Sequence, residues 1–163
     1  MLLRKATAGD LPFLLDLEAE NYHAGFVGCD DETEHLLRML DPDSVYWIVE
    51  QHGSPAGYVI LEGLESCNRS VLIRRVAVTK PGSGLGRAVL REVMRIAFTE
   101  LGTHRLWLDV YVDNDRARHV YQALGFTEEG TMRDCILQNG AYRSLVLMSL
   151  LEEEYRKQSA GNA

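Results

Sequence analysis

The stretch that most constrains this chain is Val71–Leu101, VLIRRVAVTKPGSGLGRAVLREVMRIAFTEL. It begins as a strand, because Val71, Leu72, Ile73, Val76, Ala77 and Val78 are apolar and mostly β-branched. It breaks at Pro81-Gly82-Ser83-Gly84-Leu85-Gly86 and resumes as an amphipathic helix on Leu85, Val89, Val93, Ile96, Ala97 and Leu101. Arg87, Arg91 and Arg95 recur at intervals of four on the opposite face. A strand, a glycine loop and a helix together form a device for holding phosphate. Glycine admits left-handed backbone angles and close approach of a ligand, and the uncapped N–H groups and dipole at the helix start favour an anion. Glycines at three alternate positions exceed the needs of a plain turn.

The loop narrows the choice of phosphate. The Lys-Ser/Thr ending of a nucleotide P-loop is absent, and Gly82, Gly84 and Gly86 do not have the dinucleotide spacing. A length of 163 residues suits one domain with a substantial core. No apolar run approaches the roughly 20 residues of a membrane helix, so no membrane association is expected. The start, MLLRKATAGD, does not read as a signal peptide. Cys29, Cys67 and Cys135 are scattered, with no metal-ligand spacing. They read as reduced, buried thiols of a cytoplasmic protein. Net charge is −7 and is uneven: residues 1–50 hold 11 acids and 3 bases. That acidic third disfavours nucleic acid and suits a cationic small molecule or basic peptide, or it is simply a solvated helix face.

The remaining elements follow from local signals. Leu2–Ala6 reads as a short strand. A helix follows to about Glu20 on Leu11, Phe13, Leu14, Leu15 and Leu17, with Thr7 as cap and Asp10 three residues on. Residues 21–30 read as a loop carrying Tyr22, His23 and Phe26. Asp31–Leu40 reads as a helix with Leu36, Leu37 and Leu40 inward. Val45–Glu50 and Ala56–Glu65 form a hairpin through a turn-rich connector. Arg105–Val112 is a strand, Asp115–Leu124 a helix stopped by Gly125, and Phe126–Gln138 and Ala141–Leu150 strands joined by Asn139-Gly140. The remainder, EEEYRKQSAGNA, reads as a polar, frayed tail. Residues 1–157 are expected to be a single domain and 158–163 a flexible tail.

A second motif makes the loop specific. Asn114, Ala117 and Tyr121 share one side of their helix at spacings of three and four, and Gly125-Phe126 follows. Taken alone, Asn114 is a helix cap and Tyr121 a core tyrosine. Together with the loop, the pattern Asn-x-x-Ala-x-x-x-Tyr-x-x-x-Gly-Phe resembles the GNAT superfamily of N-acetyltransferases. Gly84 and Gly86 match the glycines of that family's Gln/Arg-x-x-Gly-x-Gly/Ala loop, whereas Pro81 stands where Gln or Arg is expected. The C-terminal third resembles the branch of ribosomal-protein N-terminal and spermidine acetyltransferases.

The resemblance implies an α/β fold: a mixed, mostly antiparallel twisted sheet of about seven strands, with a splayed central pair and about four flanking helices. It implies acetyl-CoA as acyl donor, with Val76, Ala77 and Val78 offering backbone groups to the pantetheine arm. Gly82, Ser83, Gly84, Leu85, Gly86 and Arg87 would hold the pyrophosphate, and Asn114 would touch the cofactor arm. An amine then attacks the thioester directly, and Tyr121 near the sulfur protonates the thiolate. Asp109, Glu62 or a water chain would take the amine proton. No metal is expected. The acceptor is a primary amine, such as a peptide N-terminus or a polyamine, and a homodimer is plausible by family. The alternatives are a non-catalytic acyl-CoA-binding module and a nucleotide-binding domain.

Overall fold

Alternating apolar residues in the strands place two cores on opposite faces of one sheet. The structure, a computed structural model, describes residues 1–23 and 30–161, the side chains of Tyr22 and His23 excepted. The strands are β1 (Leu2–Lys5), β2 (Ser44–Gln51), β3 (Ser54–Glu62), β4 (Ser70–Val78), β5 (Arg105–Tyr111), β6 (Thr127–Gln138) and β7 (Ala141–Leu151). The helices are α1 (Leu11–His23), α2 (Glu32–Leu40), α3 (Leu85–Thr99), α4 (Asp115–Ala123) and α5 (Glu152–Gly161), and a 3₁₀ turn over Ala8–Asp10 precedes α1. The sheet order is β1-β2-β3-β4-β5-β7-β6. Every neighbouring pair is antiparallel except β4–β5, which α3 joins as a parallel crossover.

On one face, Val59, Leu61, Val71, Ile73, Leu106, Leu108 and Met148 pack against Val89, Val93 and Ala97 of α3 and Tyr121 and Leu124 of α4. On the other, Tyr46, Ile48, Tyr58 and Ile60 pack against Leu14 and Leu17 of α1. The hairpin turns fall where left-handed backbone is tolerated: His52-Gly53 and Asn139-Gly140 both have positive φ.

β4 carries one irregularity that decides which residues reach which core. Ile60 faces Arg75 while Leu61 faces Ile73, so Arg74 is an extra residue in β4. Side chains alternate with period two, so one inserted residue switches the faces. Val71 and Ile73 before it, and Val76 and Val78 after it, therefore point to the α3 side, while Ala77 points to the α1 side. Arg75 also reaches the α1 side, where it donates to Glu18.

Glu18, fully buried, is the hub of a polar network. Tyr58 donates its hydroxyl to Glu18 Oε1 at 2.9 Å, and His35 Nε2 lies 3.2 Å from Glu18 Oε2. His35 Nδ1 lies 3.0 Å from the Tyr46 hydroxyl, which accepts from Arg38 at 3.2 Å. One proton arrangement satisfies all of these contacts: Arg38 donates to Tyr46, Tyr46 to His35 Nδ1, and His35 Nε2–H to Glu18. Burial is the largest influence on the Glu18 carboxyl and pushes its pKa up, but His35 and Arg75 outweigh it and hold the pKa below the usual value.

Several expectations are corrected. In α2 the inward residue is His35, fully buried, while Leu36, Leu37 and Leu40 are exposed, the last two at 65% and 81%. The Asp31 capping box sets the helix register, and the face that delivers His35 and Arg38 to the network is not the leucine face. Glu152–Gly161 is not a frayed tail but helix α5, anchored by Tyr155 stacking on Phe98 at 4.7 Å. Among the described residues the α-helices number five, α5 being the one added to the about four expected. In α3 the buried face includes Leu90, Met94 and Phe98, while Leu101 lies past the helix end and is exposed. Cys67 and Cys135 are exposed, not buried. Helix α1 runs to His23, into the expected loop, while Phe26 and Cys29 lie outside the described residues.

Removing Glu18 takes from buried Arg75 its shorter ion pair, leaving only Asp30 at 3.2 Å, and leaves Tyr58 and His35 without their acceptor. Glu18→Ala should cost about 3–5 kcal/mol in a urea titration; a loss below about 1 kcal/mol, the size of an exposed pair, would contradict the network's role. Because the folded pKa of Glu18 is depressed, its contribution is present above the ordinary carboxylate range. It is lost as pH falls below the ordinary glutamate range and through the lowered folded value.

Candidate active site

β4 and β5 begin as a ladder and then part. Their paired residues are Ser70–Arg105, Val71–Leu106 and Leu72–Trp107, and the ladder goes no further. β5 stays paired to β7 through Tyr111, and β4 stays paired to β3 through Val78. Each strand is thus held on its outer side while the inner edges separate. The gap is part of a cleft of about 1150 Å³ lined by Leu72–Thr79 on one wall and Asp109, Val110 and Tyr111 on the other.

At one end of the cleft lie Pro81, Gly82, Gly84, Gly86 and Arg87. Gly82 and Gly84 have φ of 90° and 86°, angles that a side-chain-bearing residue takes only with strain. Gly84 is the N-cap of α3 and has no side chain to cap it; Leu85 N–H donates weakly to Ser83 Oγ at 3.4 Å, and the next first-turn N–H groups, of Gly86 and Arg87, are left for an anion. The intervening residues turn away: Ser83 donates its hydroxyl to the Lys80 carbonyl at 2.7 Å, and Leu85 is buried in the core. The alternate glycines thus face the cleft, and Ser83 and Leu85 build the bend behind them.

Tyr121 lines the middle of the cleft. Its ring is buried beside Phe126, and its hydroxyl makes no hydrogen bond to a described residue. Burial, with the negative charge of Asp109 adding to it, pushes the phenol up to about 12. Asp109 is open to solvent yet sits between the cleft walls. Desolvation by those walls raises its pKa, and the Arg74 and Arg75 charges pull it back in part. Asn114 caps α4, its Oδ1 accepting from Ala117 N–H at 3.2 Å, so Nδ2 is the atom left to donate into the cleft.

Glu62 is not brought to this constellation. Its Oε1 pairs with Arg38 at 2.7 Å and with Arg74 at 3.3 Å. Val76, Ala77 and Val78 line the cleft. Sequence reasoning missed Leu17, Glu20, Asn21 and Asp30 at the far end, and Arg116 beside the loop. Asp30 is engaged by Arg38 at 2.8 Å and Arg75 at 3.2 Å, whereas Glu20 has no ion pair among the described residues. A signal for Arg116 was available: a cation in the first turn of a helix opposes the dipole and so calls for a reason.

A family model, "Acetyltransferase (GNAT) family", matches residues 11–126. The chain belongs to the GNAT acetyltransferase family. It is 32% identical over 172 residues to the spermidine N(1)-acetyltransferase of Vibrio cholerae serotype O1, with 98% of this chain and 97% of that protein covered. It is 36% identical over 104 residues to the putative ribosomal N-acetyltransferase YdaF of Bacillus subtilis, covering 63% of this chain and 57% of that protein. The crystal structure of the Vibrio cholerae spermidine N-acetyltransferase in complex with CoA and spermine superposes with a TM-score of 0.85, at 26% identity over 95% of this chain and 97% of that one. The mixed, mostly antiparallel seven-stranded sheet is the GNAT fold. Membership makes acetyl-CoA the acyl donor and an amine the acceptor. Loop, gap and buried phenol fit that donor: its phosphates need the N–H donors, and its extended arm needs an unpaired strand edge.

The Asp109 charge disfavours a tyrosinate at Tyr121. Asp109→Asn should therefore lower the Tyr121 pKa and move the alkaline fall of kcat to lower pH; a pH–rate profile unchanged on its alkaline side would contradict the coupling.

Proposed function

We propose that Tyr121, Asp109 and the β4 backbone carry the transfer of acetyl from acetyl-CoA to a cationic primary amine. The observation that carries this reading is the buried, unpartnered phenol of Tyr121 at the place where β4 and β5 have parted. An alkylammonium has a pKa of about 10 and must lose a proton before it can attack. In this proposal Asp109, its pKa raised by burial, accepts that proton through water. The amine nitrogen then bonds to the thioester carbon, and a β4 N–H among Val76, Ala77 and Val78 stabilises the oxyanion. The C–S bond breaks and the departing sulfur takes the Tyr121 proton; the second proton of the former amine nitrogen passes through water to the tyrosinate, and Asp109 releases the first to solvent. With its pKa pushed up to about 12, the phenol holds that proton at neutral pH and gives it up only as negative charge develops on the sulfur beside it. Glu62, bound by two arginines, is given an ion-pair role, with Asp109 as the base.

The far end of the cleft supports a cationic acceptor. Glu20 offers a carboxylate there and Asp109 a second on the β5 wall, neither with an ion pair among the described residues, while the Asp30 charge is already met by arginines. Relatives that act on spermidine point the same way, and a polyamine is the proposed acceptor class. No helix among the described residues is long and apolar enough to cross a membrane. The exposed thiols of Cys67 and Cys135 support a reducing compartment and hence the cytoplasm. A homodimer is carried over from the family resemblance; the open edge of β6 and the exposed Leu137 and Tyr142 support it.

Acetyl-CoA consumption across polyamines, peptides with free N-termini and neutral amines tests the reading. Polyamines should give the highest kcat/KM. Tyr121→Phe should cut kcat by roughly 10²-fold or more with CoA affinity unchanged. Equal turnover in that variant would remove the phenol from the mechanism, and preference for a neutral amine would remove the cationic acceptor.

A further inference from the structure

We propose that Arg116 is the side-chain clamp on the pyrophosphate of the acyl donor, closing over the glycine loop from the neighbouring helix. The inference rests on the acetyl-CoA reading of the cleft and adds a residue and a role to it.

Three observations carry it. First, the guanidinium already lies across the loop. Its Nη2 is 2.9 Å from the point where a Cβ on Gly82 would sit, so the missing side chain at Gly82 is what leaves it room. Both residues line the cleft. Second, Arg116 has no hydrogen bond or ion pair among the described residues, although carboxylates flank it in sequence. Asp113 is taken by Arg143 at 2.6 Å, and Asp115 faces Arg118 at 3.6 Å. Arg118, two residues on, is further tied to Glu128 at 2.9 Å. The same helix thus neutralises one arginine and leaves the other open toward the loop. Third, the position is unfavourable without an anion. Arg116 sits in the first turn of α4, where the helix dipole repels a cation. A bound diphosphate reverses that sign.

The loop itself explains the need. Pro81 lines the cleft but offers neither an N–H nor a side-chain donor. The backbone N–H groups at the start of α3 can approach a diphosphate from one side only. A planar guanidinium across the loop adds a bidentate, charge-assisted contact from the other side. Arg87, in the first turn of α3, reaches the cleft from the loop's own helix, so the anion would lie between cations from α3 and α4.

The test is calorimetric titration of CoA and of 3′-dephospho-CoA into the full chain and into Arg116→Ala, Arg116→Gln and Arg116→Lys, at two salt concentrations. The clamp predicts that R116A and R116Q weaken both ligands by the same factor, about tenfold or more, and flatten the salt dependence of affinity. R116K should recover part of the loss, because it restores charge but not the fork. Adding Pro81→Arg to R116A should also recover affinity by supplying a cation from the loop. Thermal melts matching the unmodified chain show that the variants fold; R116Q, which keeps most of the side-chain volume, serves if R116A does not. A change below about twofold in every folded variant would overturn the clamp. So would a loss seen with CoA and not with dephospho-CoA, which would put Arg116 on the 3′-phosphate. If the unmodified chain bound neither ligand, the acetyl-CoA reading itself would fall and the clamp with it.

Discussion

Everything at the site depends on the β4–β5 ladder ending at Leu72 and Trp107. A sheet that stayed paired would satisfy its own backbone and have nothing to offer a ligand. Here β3 and β7 hold the outer edges along their length, so the inner edges can part without unravelling the sheet. Polar backbone groups left in a gap need partners. A long extended ligand with amide groups can pair with them as an added strand would. The fold therefore builds its binding site by withholding hydrogen bonds, and the glycine loop at the end of β4 continues the same logic at the start of α3.

The extra residue at Arg74 ties that gap to the core on the other face. It turns Arg75 from the α3 side to the α1 side, where Glu18 is buried. Glu18, Tyr58 and His35 then join α1, β3 and α2 to β4 through one carboxylate. Arg75 and Asp30 belong both to this network and to the cleft lining, so that part of the cleft is a face of the same polar cluster. Buried charge is a costly way to hold a core together, and a network with its donors and acceptors matched makes a unique register more than it adds stability.

The features legible in the sequence were those set by neighbours in the chain. The glycine loop, the Asn114–Tyr121 helix face and the hairpins at His52-Gly53 and Asn139-Gly140 each need only a few adjacent residues to specify them. Features set by distant partners were not legible. Nothing near His35 shows that Glu18 and Tyr46 require it inside, so the leucines of α2 drew the wrong face inward. The polar run after Leu151 hides Tyr155, whose partner Phe98 lies far back on α3. Glu62 read as a candidate base because its arginines, Arg38 and Arg74, are invisible from its own strand. Arg116 carried a local signal, a cation in a first helical turn, but the loop it lies across is thirty-odd residues earlier and its own neighbours do not point there.

The measurement that bears most directly on the account is amide hydrogen exchange along residues 73–78, with and without acetyl-CoA. If the donor's arm lies in the gap and pairs with β4, amides on its open edge should slow when acetyl-CoA is added, together with those at the start of α3. Exchange in 73–78 that is indifferent to saturating acetyl-CoA would mean that the parted strands are not where the thioester is held.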